Sequence, residues 1–221
     1  MSPSRSDLQA PLRKINIFSE YLAELEADKL TDEGKDYLGR IQKSTQKMQA
    51  LVSDLLELSR VSSKLPNFKP ISLQQVIENV VSEMSISLQK ANGTVQFDAL
   101  PLIEGDPQQL EQLFVNLLDN AIKFRKPDVA PVVQIAVSPS AEAWNIEFKD
   151  NGLGFPQDKA EHIFGIFERL HPSQQYEGTG IGLSIVKRIV ERHSGRIVVA
   201  SEPGQGATFN IHLPMKQITS H

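Results

Sequence analysis

Two glycine clusters constrain the fold of this chain more than any other feature. The first is Asp150-Asn-Gly-Leu-Gly154, and the second runs from Glu177 through Gly178, Gly180 and Gly182 to Leu183. Glycine has no Cβ, so its backbone can turn tightly and approach another group closely. The second cluster directly precedes a segment with helical periodicity, and the amides at a helix N-terminus attract anions. We therefore expect the two clusters to close around a polyphosphate such as that of ATP.

Composition limits the size and class of the protein. The 221 residues, 40% of them hydrophobic, can form one core plus a smaller helical unit, and the net charge of -4 gives no electrostatic footprint for nucleic acid. Cysteine is absent, so disulfides and thiolate metal sites are excluded and a reducing cytoplasmic setting is expected. The sequence has no apolar run of the roughly 18 residues that a membrane-spanning helix needs and no signal-peptide pattern. We expect a soluble, cytoplasmic chain.

Residues 1–66 contain two amphipathic segments. Apolar residues recur at intervals of three or four, which predicts helices with one buried stripe. The linking segment Ala27–Gly34 is short and polar, so an antiparallel hairpin is expected. Two copies packed as a four-helix bundle would supply the core that one hairpin lacks, which predicts a homodimer; docking of the hairpin on its own chain is the alternative. The stripes comprise Leu8, Leu12, Ile15, Phe18, Leu22 and Leu25, then Tyr37, Ile41, Met48, Leu51, Val52, Leu55 and Leu58.

Residues 67–214 mix helical and strand patterns after a boundary marked by Pro66 and Pro70. Ser72 and Asp106 are the predicted N-caps of two of the helices. Helices beside a mixed sheet predict an α/β sandwich, so the whole chain is expected to be α+β, with residues 215–221 as a tail. The predicted helices cover 72–90, 106–124 and 182–193, and the predicted strands cover 94–98, 102–104, 132–137, 143–148, 196–200 and 207–213.

Three polar residues share one face of the helix predicted over 106–124. Asn116 and Asn120 are one turn apart, and Lys123 follows. An amide oxygen is a ligand for Mg²⁺, which keeps phosphate oxygens in its shell, and a lysine supplies a charge for the same phosphates. The pattern indicates contacts to Mg²⁺ and a nucleotide; a solvated helix face is the alternative.

Two further charged residues are candidates for nucleotide contacts. Asp150 ends a predicted strand, and its carboxylate can accept a hydrogen bond from an exocyclic amine such as that of adenine. An ordinary Asx-Gly turn is the alternative. Arg169 follows Phe164 and Phe167, which are predicted core anchors, and its guanidinium could reach a terminal phosphate or lie on the surface.

The order of these segments is more specific than any one of them. Asn116–Phe124, Asp150–Gly154, the paired phenylalanines, Gly178–Leu183 and Gly204–Phe209 resemble the N, G1, F, G2 and G3 boxes of sensor histidine kinases. The resemblance covers residues 67–214 and implies the Bergerat-type ATP fold. It implies that Asn120 binds Mg²⁺, that Asp150 binds adenine and that Arg169 contacts the γ-phosphate. The implied nucleotide-binding positions are Asn116, Asn120, Lys123, Phe124, Asp150, Gly152, Gly154, Gly178, Thr179, Gly180, Ile181, Gly182, Leu183 and Thr208.

The first domain resembles the dimerisation and phosphoacceptor hairpin of the same family, but it departs at the acceptor. By that resemblance the accepting histidine would precede Asp7 and fall at position 6, which is Ser6. Asp7 would act as general base toward that histidine. Ala10 stands where family members with phosphatase activity often carry Thr or Asn. No histidine lies in the hairpin, since the histidines are His162, His171, His193, His212 and His221.

Three function classes follow. The first is a histidine-kinase-type phosphotransferase of a two-component system that binds Mg-ATP but lacks its own acceptor, with a response regulator receiver domain as partner and a sensor domain outside this chain. The second is a nucleotide-binding pseudokinase scaffold that regulates another kinase or a response regulator. The third, an ATPase of the wider gyrase and chaperone family, is disfavoured because Asn116 replaces the general-base glutamate of those enzymes. Whether Ser6 is a natural loss or an engineered substitution stays open.

Overall fold

A computed structural model describes residues 5–26, 28–63, 65–170 and 178–217, with the side chains of residues 5–8 outside that description. The chain has the predicted α+β architecture, a helical hairpin followed by an α/β sandwich. Contacts between Cα atoms divide it into two units, Met1–Ser59 and Arg60–His221. The second unit thus begins at Arg60, before the predicted boundary at residue 66.

The hairpin consists of α1 (Arg5–Leu25) and α2 (Asp32–Ser63), and helix α1 continues through Pro11. Helix α2 begins inside the segment predicted as the link. Its start is stabilised locally, because Thr31 Oγ1 accepts a hydrogen bond from the Gly34 amide at 3.1 Å and acidic residues occupy the first turn.

Much of the predicted apolar stripe of the hairpin is exposed in the single chain. Phe18 is 63% and Leu25 is 76% exposed, whereas the polar residues Ser19 and Thr45 are buried. The Gln42 side chain donates a hydrogen bond to the Ser19 carbonyl at 3.2 Å and so links the two helices. The other exposed members of the stripe are Ile15, Leu22, Tyr37, Ile41, Met48 and Leu55.

The second unit begins with a two-stranded sheet and two short helices. Strand β1 (Lys69–Ser72) pairs antiparallel with β3 (Leu102–Gly105). Helix α3 (Leu73–Glu83) begins at the predicted N-cap, since Ser72 accepts a hydrogen bond from the Gln75 amide. A break at Met84 separates α3 from α4 (Ser85–Ala91). The prediction of one helix over 72–90 was therefore wrong, because apolar spacing continues across the break.

The candidate nucleotide-binding residues lie at one end of the central sheet. It has the order β2-β4-β5-β7-β6, in which β2 and β4 are parallel and the other neighbours are antiparallel. The strands are β2 (Thr94–Phe97), β4 (Val132–Pro139), β5 (Ala143–Asp150), β6 (Arg196–Glu202) and β7 (Gly206–Pro214).

Helices α5 (Pro107–Lys123) and α6 (Gly182–Arg192) pack against each other, and their apolar residues form much of the core. Asp106 is the N-cap of α5 as predicted, because its carboxylate accepts hydrogen bonds from the Gln108 and Gln109 amides. The buried residues include Leu110, Leu113, Phe114, Leu117, Ile185, Ile189, Phe148 and Ile211. The loop between β5 and α6 includes two 3₁₀ turns, Gln157–Lys159 and His162–Phe164.

The predicted tail begins as packed structure. The Gln217 amide donates to Glu104 Oε2 at 2.9 Å, and Gln217 is buried. Residues 215–217 therefore pack against the rest of the second unit, whereas the sequence placed them in a tail; residues 218–221 lie outside the described part.

Candidate nucleotide-binding site

Asp150 lies at the end of β5, where its carboxylate is held by two backbone amides. Oδ1 accepts hydrogen bonds from Gly152 N at 2.8 Å and from Ala207 N at 3.3 Å. Burial raises the pKa of Asp150, and the two amide hydrogen bonds and the charge of Lys126 oppose that rise. The fold thus fixes a desolvated acceptor at the base of the first glycine cluster, which is the chemistry predicted for an adenine contact.

The glycines around Asp150 are required by close backbone packing. Gly154 has a φ of +60°, and a Cβ there would lie 2.0 Å from the Glu202 carbonyl oxygen. The Leu153 amide donates to the Phe124 carbonyl at 2.9 Å, and the Gly204 amide donates to the Leu153 carbonyl. The loop after β5 is therefore bonded to the end of α5 and to the β6–β7 turn.

The second glycine cluster is bonded to the segment that follows the paired phenylalanines. Gly178 and Gly180 have φ values of +140° and +77°. The Phe167 amide donates to the Gly180 carbonyl at 3.0 Å, and Arg169 Nη1 donates to the Gly178 carbonyl at 2.8 Å. Arg169 therefore supports the glycine loop, a role that the sequence did not predict. Residues 171–177, which lie between the segment of the paired phenylalanines and the second glycine cluster, are outside the described part of the chain.

Helix α5 faces this glycine loop at two points. A Cβ on Gly182 would lie 3.1 Å from Asn116 Oδ1, and a Cβ on Gly178 would lie 2.2 Å from Lys123 Nζ. Lys123 Nζ also lies 4.6 Å from the centre of the Phe124 ring, a cation–π contact. The predicted polar face of α5 is thus brought to the N-terminus of α6.

The other predicted residues occupy this end of the domain or its core. Asn120 is half-buried one turn from Asn116, and its carbonyl accepts a hydrogen bond from the Phe124 amide. Thr179 Oγ1 accepts from the Ile181 amide at 3.3 Å, and Ile181 is fully buried. Leu183 lies in the first turn of α6, and Thr208 follows Ala207 in β7; both are half-buried.

Some outcomes differ from expectation. Phe164 is a core anchor as predicted, but Phe167 is 54% exposed with a φ of +67°, so the prediction for Phe167 was wrong. Gly206 and Ala207 belong to the segment that resembles the G3 box, but the sequence did not predict that Gly206 packs on the Asp150 backbone or that the Ala207 amide bonds the Asp150 carboxylate. Ser6 and Asp7 lie at the start of α1, and their side chains are outside the described part.

The described residues contain neither a cluster of metal-ligand side chains nor a helix able to span a membrane. Within that part of the chain, no three His, Asp or Glu side chains are grouped to hold a metal ion. None of the helices described combines the length and hydropathy needed to cross a membrane.

Comparison with known families matches both units. Residues 105–217 match the family described as histidine kinase-, DNA gyrase B-, and HSP90-like ATPase, and residues 6–64 match the His Kinase A (phospho-acceptor) domain. The second match begins at Ser6.

Individual relatives cover nearly all of this chain. The phytochrome-like protein Cph1 of Synechocystis is 32% identical over 95% of this chain and 28% of its own length. The sensor protein kinase WalK of Staphylococcus aureus is 32% identical over 96% of this chain and 52% of its own length. The chain spans 28% and 27% of the lengths of Cph1 and of cyanobacterial phytochrome A of Nostoc.

Solved structures share the fold. Full-length ShkA in complex with AMPPNP superposes with a TM-score of 0.71 at 24% identity, over 98% of this chain and 45% of that one. The Acinetobacter baumannii histidine kinase AdeS gives 0.66 at 21% identity, over 95% of this chain and all of that one. The chain belongs to the sensor histidine kinases, as a transmitter in which a phospho-acceptor-type hairpin precedes an ATP-binding domain.

Proposed function

We propose that this transmitter binds Mg-ATP and is built to transfer the γ-phosphoryl group to a histidine, while Ser6 at the acceptor position prevents self-phosphorylation. The observation that carries the proposal is the convergence of three segments. The Asp150 loop, the polar face of α5 and the Gly178–Gly182 run at the start of α6 meet at one end of the sheet.

Each segment suits one part of ATP. The Asp150 carboxylate would accept a hydrogen bond from the adenine amine. The Gly152 and Ala207 amides hold the carboxylate in place for this contact. The glycine loop and the first turn of α6 would hold the phosphates through backbone amides and the helix dipole. Lys123 and Arg169, which lie against Gly178, would balance the phosphate charge. AMPPNP, the ligand in the ShkA structure, is an analogue of ATP.

A magnesium ion would be held jointly by the protein and the nucleotide. The amide oxygen of Asn120 is a suitable neutral ligand, and Mg²⁺ commonly takes its remaining ligands from phosphate oxygens and water. The ion would neutralise charge on the transferred group, while Asn116 and the loop keep that group oriented.

Ser6 changes where the phosphoryl group can go. A serine hydroxyl is a weak nucleophile unless a base removes its proton, and Asp7 is its nearest acidic residue in sequence. We therefore expect no stable self-phosphorylation. An acceptor histidine would have to come from another chain.

The assembly proposed is a homodimer formed by the hairpins, with a receiver domain as a further partner in the cytoplasm. The exposed apolar residues of α1 and α2 would form the core of a four-helix bundle. The solved complex of the histidine kinase ThkA with the response regulator TrrA shows such a pairing in another protein.

A pseudokinase scaffold is the alternative function. It is favoured by one observation, the serine at the acceptor position with Ala10 one turn later. In that case the protein would bind nucleotide and regulate another kinase or a response regulator without transferring phosphate itself.

Labelled ATP distinguishes the two functions. The unmodified chain, Ser6→His and Ser6→Ala would be incubated with γ-labelled ATP, and acid-labile label would be measured beside nucleotide binding. We expect label on Ser6→His alone. Bound nucleotide without label on any chain, even when a histidine-bearing homologue is added, would favour the scaffold. Acid-stable label on the unmodified chain that is lost in Ser6→Ala would contradict the role given to Ser6.

A further inference from the structure

The last turn of α2 is held by two arginines of α6. Arg188 Nε donates to Ser62 Oγ at 3.2 Å, and Arg192 Nη1 donates to the Ser62 carbonyl at 2.8 Å. The neighbouring Val61 is buried. The last carbonyls of a helix have no partner within the helix and carry partial negative charge, so a guanidinium both bonds them and matches the helix dipole. We call Arg188, Arg192 and Ser62 the linker clamp.

A second set of contacts holds the chain where the linker ends. The Asn67 amide donates to Asp106 Oδ2 at 2.8 Å, and the Phe68 ring meets the His193 ring edge-on at 5.0 Å between centroids. His193 Nε2 in turn accepts a hydrogen bond from the Asp106 amide at 3.1 Å. The C-terminal half of α6 and the residue that follows it therefore hold the linker on both sides of residues 63–66.

The same helix begins at the nucleotide site. Gly182, its first residue, lies against Asn116 of α5. With 11 residues, α6 is about 16 Å long, and its apolar face is buried from Ile185 to Val190. One packed helix thus joins the glycine loop to the clamp.

We infer that Arg188 and Arg192 are positioning residues for phosphoryl transfer, which fix the free length of chain between α2 and the nucleotide site. This inference rests on the proposed kinase function. Without the clamp, the linker would be held by the hydrogen bond from the Asn67 amide to Asp106. Residues 63–66 would then add up to roughly 14 Å of reach. A longer tether lowers the effective concentration of the γ-phosphate at an acceptor on the hairpin, and loose positioning slows transfer.

The test uses the full chain carrying Ser6→His, with and without Arg188→Ala and Arg192→Ala together. Initial rates of labelling are measured across ATP concentrations, beside amide hydrogen exchange of residues 61–68. The clamp variant is expected to lower kcat about tenfold with a KM for ATP within about twofold, because positioning rather than nucleotide binding is lost. Exchange at residues 61–68 is expected to become faster, while exchange in α5 stays unchanged.

Two controls separate the clamp from general effects of charge. Lys187→Ala removes an exposed cation from the same helix. Glu191→Gln removes the partner of the Arg188 ion pair at 3.4 Å but leaves the clamp donors in place. Both are expected to label at the parent rate. Arg188→Lys with Arg192→Lys keeps donors and charge, so it should recover part of kcat.

The outcomes keep the two proposals distinct. Unchanged kcat despite faster exchange would overturn the positioning role, and so would a raised KM with unchanged kcat. If the Ser6→His parent takes no label while binding ATP, the proposed kinase function has failed, and exchange alone decides whether the clamp exists. Unchanged exchange at residues 61–68 in the double variant would then overturn the clamp.

Discussion

Gly206 lies so close to the backbone of Asp150 that no side chain fits between them. A Cβ on Gly206 would be 2.0 Å from the Asp150 carbonyl oxygen, and Gly206 has a φ of +83°. Its carbonyl also accepts a hydrogen bond from Ser201 Oγ at 2.8 Å. The turn before β7 therefore fixes the residue that is proposed to bind adenine.

Gly206→Ala is expected to lower the free energy of unfolding by about 2–4 kcal/mol, from backbone strain and steric overlap. Gly204→Ala is the matched control, because Gly204 also has a positive φ, +80°, but has no atom within 4 Å of a Cβ. Gly204→Ala should lower the free energy of unfolding by only about 1 kcal/mol. Urea unfolding measures both variants, and equal losses would contradict the role given to packing against Asp150.

Asp150→Asn should weaken ATP binding without lowering stability at neutral pH. The charged acceptor would be lost, which reduces affinity about tenfold or more. Because burial raises the pKa of Asp150, the folded protein holds this proton more tightly than the unfolded chain does. The free energy of unfolding therefore falls as pH rises above 3.8, the ordinary pKa of an aspartate. The Asp150→Asn variant has no carboxylate to titrate at this position, so it should not show that decrease.

Calorimetry with ATP and urea unfolding at several pH values check the two parts of this prediction. The exposed Asp158 is the control position, since Asp158→Asn should leave the affinity for ATP unchanged. Normal ATP binding by the Asp150→Asn variant would show that Asp150 does not contact the nucleotide.

His193 is expected to make stability depend on pH. It is fully buried, its Nδ1 contacts the Ile189 carbonyl at 2.8 Å, and burial lowers its pKa. The unfolded chain then binds the proton more readily than the folded protein, so stability falls as pH drops below the ordinary value of 6.5. His193→Leu should remove this slope. The variant should also lose about 1–3 kcal/mol, because the buried Asp106 amide loses its acceptor.

Denaturant unfolding at about pH 7.5 and about pH 5 measures the slope between those values. The exposed His162 provides the control for replacing a histidine, as His162→Asn should leave the free energy of unfolding unchanged. Burial also lowers the pKa of His212, with a smaller effect from Arg196, so a small residual slope is expected. A full slope in His193→Leu would contradict the assignment.

Phe167→Gly is expected to raise the free energy of unfolding by about 0.5–1 kcal/mol. Glycine relieves the backbone strain of a side chain at positive φ, and this strain exceeds the conformational entropy that glycine adds to the unfolded chain. Phe167 has a φ of +67° and is 54% exposed, so little packing is lost. Ile166→Gly, at a similarly exposed neighbour, should not stabilise the protein. Thermal unfolding compares the two, and destabilisation by Phe167→Gly would show that the ring makes contacts worth more than the strain.

Local patterns in the sequence predicted most helices and strands, and they predicted the order of the candidate site segments along the chain. The periodicity of the hairpin, the caps at Ser72 and Asp106, and the glycine clusters depend on residues close together in the chain, so they could be recognised without a structure. The same spacing could not reveal the break at Met84, since apolar residues remain in phase on both sides of it.

The sequence by itself determined a helical hairpin joined to an α/β domain with a glycine-rich loop before its last helix. Only the tertiary structure decided which distant groups meet. The contacts of Ala207 with Asp150, of Arg169 with Gly178 and of Arg192 with Ser62 join residues from different elements. Such contacts depend on strand order and helix packing, which bring a side chain to a backbone group that carries no sequence signal of its own.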